Sequence, residues 1–460
     1  MPSRLSARPR ALALALSAAL AAAVPAALPL AAAAPASAAA GHFTGSTRNG
    51  SYVLDVPANF NGTVVLWSHG YSFTPITTAA DAPTGDVRDA LLAQGYALAG
   101  STYARGGAGW AVDEGVAAGV ELIGLAKAKA GTTRVKRVYV WGASLGGLIT
   151  QTLAERYPGL VDGVAPLCGV LGGTDLNLDL ALDAAVAVKT FFAPKLKLTG
   201  YTSLADAQAN LALATTSISK ALAANPTGTA PRLVALAALL GAPAQTRDFA
   251  GKTLPSATAA AVETIQTALT YGTLGRFDIE QRVGGNPSTN VGVDYRHRVT
   301  SDVVARFTAF GFTPALLRAY AQTLQTYAPR VRANSTARVR ADQLGNPTGR
   351  LADRTITMHT QYDPLVVVQN ERVFADRVRA AGRTSLLHQV YVVPPAHPEG
   401  SPSVADDGAP YGAGHCTFAT SNYTGVLSAL DGWVRTGRYT APATSDGLVL
   451  SLPVPAWPAR

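Results

Sequence analysis

The sequence predicts an α/β protein: a mainly parallel sheet with helices on both faces, carrying a large helical insertion. Three observations predict it. Short apolar runs bounded by Gly, Asn and Pro alternate with helical segments from Ser51 to Leu167. From about Gly173 to Arg350 the rhythm stops and only Ala/Leu-rich helical patterns are seen; it resumes at Thr355. Strands separated by helices need crossover connections, and crossovers make parallel sheets. A chain of 460 residues, 48% hydrophobic and 15% charged, can bury one large core together with an insertion.

The first forty residues read differently. Arg4, Arg8 and Arg10 come without an acid, an Ala/Leu run from Ala11 to Ala34 is broken by Pro25 and Pro29, and small residues follow through Ala40. That order describes a secretory signal peptide over residues 1–40, cut after Ala38 to Ala40. The rival, a membrane anchor, is weakened by the prolines and the many alanines. Cleavage removes three arginines, so the formal charge falls from +9 to +6. No basic cluster is interleaved with aromatics, which argues against a nucleic-acid partner. Export would bring Cys168 and Cys416 into an oxidising compartment.

In the mature chain, Ser51 to Val56 is an alternating strand, and Thr63 to Trp67 is a continuously apolar one that ends in Ser68-His69-Gly70-Tyr71. The turn can aim the Tyr71 amide at a ligand; the His69 side chain is a substrate-binding candidate or a ring bonded into the turn. Asp86 to Gln94 is a helix and Tyr96 to Ser101 a strand. Tyr103 to Trp110 is too Gly-rich for regular structure, and its glycines do not follow a strand into a helix, so no dinucleotide or other cofactor is assigned. Val112 to Ala130 is a helix. The strand Val138-Tyr139-Val140-Trp141 then enters Gly142-Ala143-Ser144-Leu145-Gly146-Gly147 and a helix from Leu148 to Arg156. Small residues on both sides of Ser144 are what a hydroxyl needs on a sharp strand-to-helix turn. Tyr71, Trp110 and Ser144 all fall beyond the carboxyl ends of strands, where such sheets bind ligands.

Val161 to Leu167 is the next strand, ending in Cys168-Gly169. Helices are expected at Leu176 to Phe192, Leu204 to Ala224, Arg232 to Leu240, Ser256 to Thr270 and Ser301 to Tyr327, with a loop at Gly284 to Asn290. A helical block cannot lie within the sheet. Residues 173–350 are therefore expected to form a cap over the strand ends, with 41–172 and 351–460 as the core; a separate domain away from the site is the other arrangement. Thr355 to Thr360 is a strand stopping at Gln361-Tyr362-Asp363-Pro364, which puts an acid, with Tyr362 as a substrate-binding candidate, on the ligand edge. A helix from Val368 to Ala380, a last core strand from Leu386 to Val393, the segment Gly412-Ala413-Gly414-His415-Cys416 and a helix from Tyr423 to Thr436 follow.

The order Ser144, Asp363, His415, each beside a strand end or helix start, resembles that of the α/β-hydrolases over about Ser51 to Gly437 apart from the cap. The resemblance implies an α/β-hydrolase fold and a secreted serine hydrolase with these three as catalytic residues. The Asp-Pro and Gly-His-Cys segments are similar to those of capped esterases of the feruloyl esterase and tannase kind, whose Cys beside the His is disulfide-bonded. Their partner Cys precedes the nucleophile, where this chain has Ala143. Cys168 and Cys416 both fall at the ligand edge and are expected to pair.

In such a site His415 takes the Ser144 proton, Asp363 holds the imidazole in the right tautomer, and the amides of Leu145 and Tyr71 receive the oxyanion. His397 is a rival base, His359 a strand residue of the core or pocket wall, and His42, His297 and His388 have no partner pattern; no spacing suggests a metal. The expected activity is hydrolysis of small or polymeric carboxylic esters through an acyl-serine, by a secreted enzyme with no membrane partner after cleavage. An exopeptidase using Asp278 or Glu280 to hold an amine, or an acyltransferase, shares the same catalytic residues. A binding protein on a degenerate version of this fold is the third reading.

Overall fold

The computed structural model describes residues 40–395 and 411–460. The signal-peptide reading of residues 1–40 and the rival base His397 lie outside them, except for Ala40. Among the described residues nine strands form one sheet: β1 Gly41–Thr47, β2 Gly50–Val56, β3 Thr63–Ser68, β4 Ala97–Ser101, β5 Arg137–Ala143, β6 Gly163–Leu167, β7 Arg354–Thr360, β8 Leu387–Val392 and β9 Leu448–Val449. Their order is β1-β2-β4-β3-β5-β6-β7-β8-β9. The block from β4 to β8 is parallel, whereas β2 runs antiparallel to β4 and β9 antiparallel to β8. An antiparallel second strand beside β4, then β3 and β5 to β8 in succession, is the topology of the α/β-hydrolase fold.

Among the described residues three α-helices precede the insertion: α1 Gly85–Ala93, α2 Val112–Ala130 and α3 Leu145–Arg156. Strand side chains alternate between the two faces of the sheet, and the sequence follows this period. Val64, Leu66, Val138 and Val140 pack with Val116, Leu122 and Ile149 of α2 and α3. Val65, Trp67, Tyr139 and Trp141 pack on the other face with Val87 and Leu91 of α1. Central strands covered on both sides need apolar residues throughout, which is why β3 and β5 read as unbroken apolar runs.

The insertion comprises α4 Gly173–Phe191, α5 Leu204–Ala224, α6 Pro226–Leu239, α7 Leu254–Thr270, a π-helical turn Tyr271–Gly275, α8 Arg276–Val283, α9 Ser301–Thr308, α10 Pro314–Tyr327 and α11 Ser335–Gln343. It has an apolar cluster of its own, including Leu182, Leu233, Ile265, Phe307 and Leu317. Hydroxyl and amide side chains cap its helices: Ser203, Thr253, Thr300, Thr313 and Asn334 each accept from an amide of the first turn. The chain closes with α12 Gln369–Ala380, α13 Thr420–Thr436 and β9. Val426 and Leu430 of α13 join the face formed with α1.

Four expectations are corrected. The helix expected from Ser301 to Tyr327 is two, because Gly311 takes a φ of +80° and Thr313 caps a new start. The polar lead before Ser51 is β1, paired with β2 through register Phe43↔Leu54 despite its two glycines. The strand expected to end the core, β8, has β9 beyond it. The elbow helix begins at Leu145 rather than Leu148. Residues 450–460 have no regular structure and lie across both parts. Val454 O accepts from Arg372 Nη1 at 3.2 Å and Ala459 O from Arg298 Nε at 2.8 Å, while Arg460 Nη2 donates to Thr289 O at 3.1 Å. Among the described residues no helix is long and apolar enough to cross a membrane.

Candidate active site

Strand β5 delivers Ser144 to a turn whose backbone is strained: φ is +61° and ψ −125°. A non-glycine residue is held in this region only where its surroundings over-determine it. Here they do. The Ser144 amide donates to Leu167 O at 2.9 Å, and its carbonyl accepts from Gly147 at 3.0 Å. A Cβ on Gly146 would lie 2.0 Å from Ser68 O, and one on Gly142 would lie 2.6 Å from the carbonyl oxygens of both Ser68 and Gly146. The two glycines let the elbow close onto the end of β3. Gly70 belongs to the same contact: a Cβ there would be 3.2 Å from that of Ser144.

The Tyr71 and Leu145 amides flank this point, and neither donates to another group among the described residues. Both residues line the same cavity as Ser144, and Leu145 begins α3.

Asp363 follows β7 and is only 1% exposed. Its Oδ1 accepts from the amides of Leu365 at 2.8 Å and Val366 at 2.9 Å; its Oδ2 accepts from His415 Nδ1 at 2.8 Å. That bond fixes the imidazole with its proton on Nδ1 and leaves Nε2 as the basic nitrogen. The His415 loop is tied to the end of β7 by three bonds. Gly414 N donates to Tyr362 O at 2.9 Å, Thr360 Oγ1 to Gly414 O at 3.0 Å, and Tyr362 N to Gly412 O at 3.2 Å. Cys168 and Cys416 form a disulfide. Cys416 Sγ lies 3.5 Å from His415 Nε2. Since Cys168 follows Leu167, whose carbonyl takes the Ser144 amide, the bond anchors the His415 loop to the strand end next to the elbow. Ser144, Cys168 and Cys416 are three of the six described non-glycine residues with positive φ, so strain concentrates here. Donor atoms of Cys168, Cys416 and His415 lie within 4.8 Å of one another, but the disulfide takes both thiolates, so the group offers no metal ligands.

Ser144 and Leu145 open into a cavity of about 960 Å³ including its mouth. Tyr71 and Trp110 line it from the core, Leu178, Ala181, Ile265 and Tyr271 from the insertion, and Leu365 to Val367 from the turn after the acid; among the described residues no charged side chain lines it. Tyr71 meets Tyr271 and Phe73 edge-on, with ring centroids 5.3 and 5.0 Å apart. Burial, with the Asp278 charge second, raises the Tyr71 phenol well above its ordinary range, so it stays protonated. Trp110 is clamped by its amide to Asp278 at 2.7 Å and by Nε1 to Thr174 at 3.1 Å.

Sequence reasoning missed Tyr271, because a π-helical turn carries no composition signal and shifts which residues face inward. The turn is fastened from below by fully buried Arg276, which donates to Gly272 O at 3.2 Å, Leu178 O at 3.0 Å and Ser288 Oγ at 2.9 Å.

Two substrate-binding candidates are placed elsewhere. The His69 ring is absent from the cavity wall: it stacks on Tyr103 at 3.9 Å and donates from Nδ1 to Gly70 O at 2.8 Å. Burial lowers its pKa, which keeps it neutral. Tyr362 lines a second cavity, which shares Ala242 and Val367 with the first. Of the other histidines, His359 is fully buried in β7, His42 bonds Asp55 at 2.7 Å, and His388 stacks on Tyr439. Asp278 is held by Arg282 at 3.0 Å as well as by Trp110, and Glu280 accepts from Gly200 N at 2.7 Å. Neither acid lines the Ser144 cavity.

No family model matches the chain, and no curated protein matches it by sequence. Several solved structures are similar to it at low identity. An esterase from Aspergillus oryzae is 13% identical, with 87% of this chain and 80% of that one covered and a TM-score of 0.41. Tannin acyl hydrolase from Aspergillus niger is 12% identical over 86% and 78%, with a TM-score of 0.38. A proline iminopeptidase from Mycobacterium smegmatis is 13% identical over 86% and 100%, with a TM-score of 0.36. Likeness of this degree carries no argument about activity, and the fold assignment rests on the strand order.

Proposed function

We propose that the protein is a secreted serine hydrolase that cleaves carboxylic esters through an acyl-serine intermediate. The observation that carries the reading is the buried Asp363 bonded to His415 Nδ1, in a loop that a disulfide anchors beside the strained Ser144 turn. A serine hydroxyl is a poor nucleophile at neutral pH. His415 Nε2 takes its proton as Oγ attacks the ester carbon. The Leu145 and Tyr71 amides hold the oxyanion, each donor contributing on the order of 3 kcal/mol. His415 then returns the proton to the leaving alcohol oxygen, and water repeats the sequence on the acyl-serine. Asp363 stays ionised and stabilises the imidazolium.

The apolar cavity favours an ester with an apolar acyl group over a peptide with a free amine, because Asp278 and Glu280 are held elsewhere and no acid among the described residues lines the wall. The sequence of residues 1–40 supports export. Incubation with a fluorophosphonate probe tests the reading: the wild type is expected to label and Ser144→Ala to stay unlabelled. A panel of p-nitrophenyl esters against aminoacyl anilides then decides the substrate class. Cleavage of anilides but not esters would replace the esterase by a peptidase.

A further inference from the structure

The second cavity, about 1200 Å³ including its mouth, lies against the acid side of the candidate site. Asp363 and Tyr362 form part of its wall, Arg306 of α9 faces it, and Trp457 with the prolines of the C-terminal segment closes it. It shares Ala242 and Val367 with the Ser144 cavity. Unlike that cavity, it contains charge.

Arg306 is partly buried and donates from Nη1 to Ala242 O at 2.8 Å. Its other N–H groups have no partner, and no carboxylate lies within ion-pair distance of it, among the described residues. The other charged groups of the wall are engaged or exposed, except that Arg298 Nη1 is buried with no partner among the described residues. Arg298 pairs with Asp183 at 2.5 Å. Both oxygens of Asp363 are engaged by His415 and by the amides of Leu365 and Val366. Asp302, one turn before Arg306, is exposed at the start of α9 and does not pair with it. Tyr362 lines the same cavity, where burial raises the pKa of its phenol and the Arg306 charge pulls it back. A planar guanidinium with open donors, a phenol hydroxyl beside it and the Trp457 side chain in the wall match a carboxylate on an apolar or aromatic body.

We infer that this cavity binds a carboxylate through Arg306 and Tyr362. The inference rests on the ester-hydrolase reading in one respect: the base returns its proton to the leaving oxygen, so the alcohol half of the substrate lies on the His415–Asp363 side, toward this cavity. An ester whose alcohol portion carries a free acid would then be held at both ends, its acyl group in the apolar cavity and its carboxylate on Arg306. A separate small acid offers the same chemistry.

Calorimetric titration of Ser144→Ala with benzoate, and with neutral benzamide as control, tests the site without turnover. Benzoate is expected to bind and benzamide not. Benzoate affinity should fall at least tenfold in Ser144→Ala/Arg306→Gln and severalfold with Tyr362→Phe, while Arg306→Lys, which keeps the charge and loses the fork, should fall between. Turnover separates the sources. If the acid belongs to the substrate, wild type prefers 4-acetoxybenzoate to phenyl acetate in kcat/KM, and Arg306→Gln reduces that ratio at least tenfold through KM. If benzoate binding is lost in the variant but the ratio is unchanged, the ligand is a separate acid. Benzoate that fails to bind, or binds equally to the Arg306→Gln protein, overturns the inference. A wild type that binds benzoate through Arg306 yet hydrolyses no ester would refute the enzymatic reading instead.

Discussion

Replacing Asp363 by Asn tests the candidate triad with little disturbance of the fold, because the structure dictates which way the new amide must point. Oδ1 of the acid accepts from two backbone amides, at 2.8 and 2.9 Å, and only an oxygen can do so. The asparagine therefore keeps its oxygen there and turns its NH2 toward His415 Nδ1, at the place now taken by a carboxylate oxygen 2.8 Å away. Facing a donor, Nδ1 must give up its proton and act as acceptor, so the neutral ring carries hydrogen on Nε2. An imidazole protonated at Nε2 cannot take the proton of Ser144. A wrong-tautomer substitution of this kind lowers kcat by about 10⁴ in serine proteases, or about 5.4 kcal/mol at 1.36 kcal/mol per decade. Folding should survive, since both buried amides keep their acceptor. The assay is kcat/KM on a p-nitrophenyl ester beside the melting temperature. A loss of less than tenfold with an unchanged melting temperature would refute the assigned role of Asp363.

Three further outcomes are expected. Gly146→Ala puts a methyl 2.0 Å from Ser68 O, a clash with backbone that no rotamer relieves, so thermal denaturation should show a loss at or beyond the roughly 3 kcal/mol upper end of ordinary overpacking. Replacing both Cys168 and Cys416 by Ser opens a loop of sequence separation 248, for which chain entropy gives about 5 kcal/mol at most; the denaturant midpoint should fall, and thiol titration of the unfolded, unreduced wild type should find no free thiol. Asp353 has its pKa raised to about 6, first by burial and then by the Asp162 charge, and its Oδ2 is buried without a partner. As pH rises from about 4 to about 6, the unfolded chain releases this proton before the folded one, so stability is lost across that window and stays lost above it. Asp353→Asn should therefore raise the melting temperature at pH 8, with the gain vanishing near pH 4. A gain larger at pH 4 than at pH 8 would contradict the sign.

What the sequence disclosed follows what local physics decides. The α2 range was legible to the residue, because nineteen residues with a buried face and no proline read as a helix despite three glycines. The elbow was legible because Gly142 and Gly146 are needed by backbone close to them, and the meeting of Asp363 with His415 because each ends a segment at one edge of the sheet. β1 was hidden: Gly-His-Phe-Thr-Gly-Ser-Thr has no strand signal of its own and is held by its pairing with β2. α8 and α11 were missed because they are short and charged, and contacts rather than periodicity sustain them. The cavity wall was the least legible part. Tyr271 reaches it through a π-helical turn, and Tyr362 is turned away from it into the neighbouring cavity, on facts of packing that adjacent residues do not encode.

The separation of β6 from β7 by the whole helical insertion has a consequence for synthesis. Leu167 and Met358 are neighbours in the sheet, yet every helix from α4 to α11 must be made between them. The helices have an apolar cluster of their own and can consolidate from contacts close along the chain, whereas the sheet waits for a distant partner. A growing chain thus carries Ser144 long before Asp363 and His415, the pair proposed to activate it. On the chemistry proposed above, Ser144 cannot be activated until the last quarter of the chain has emerged.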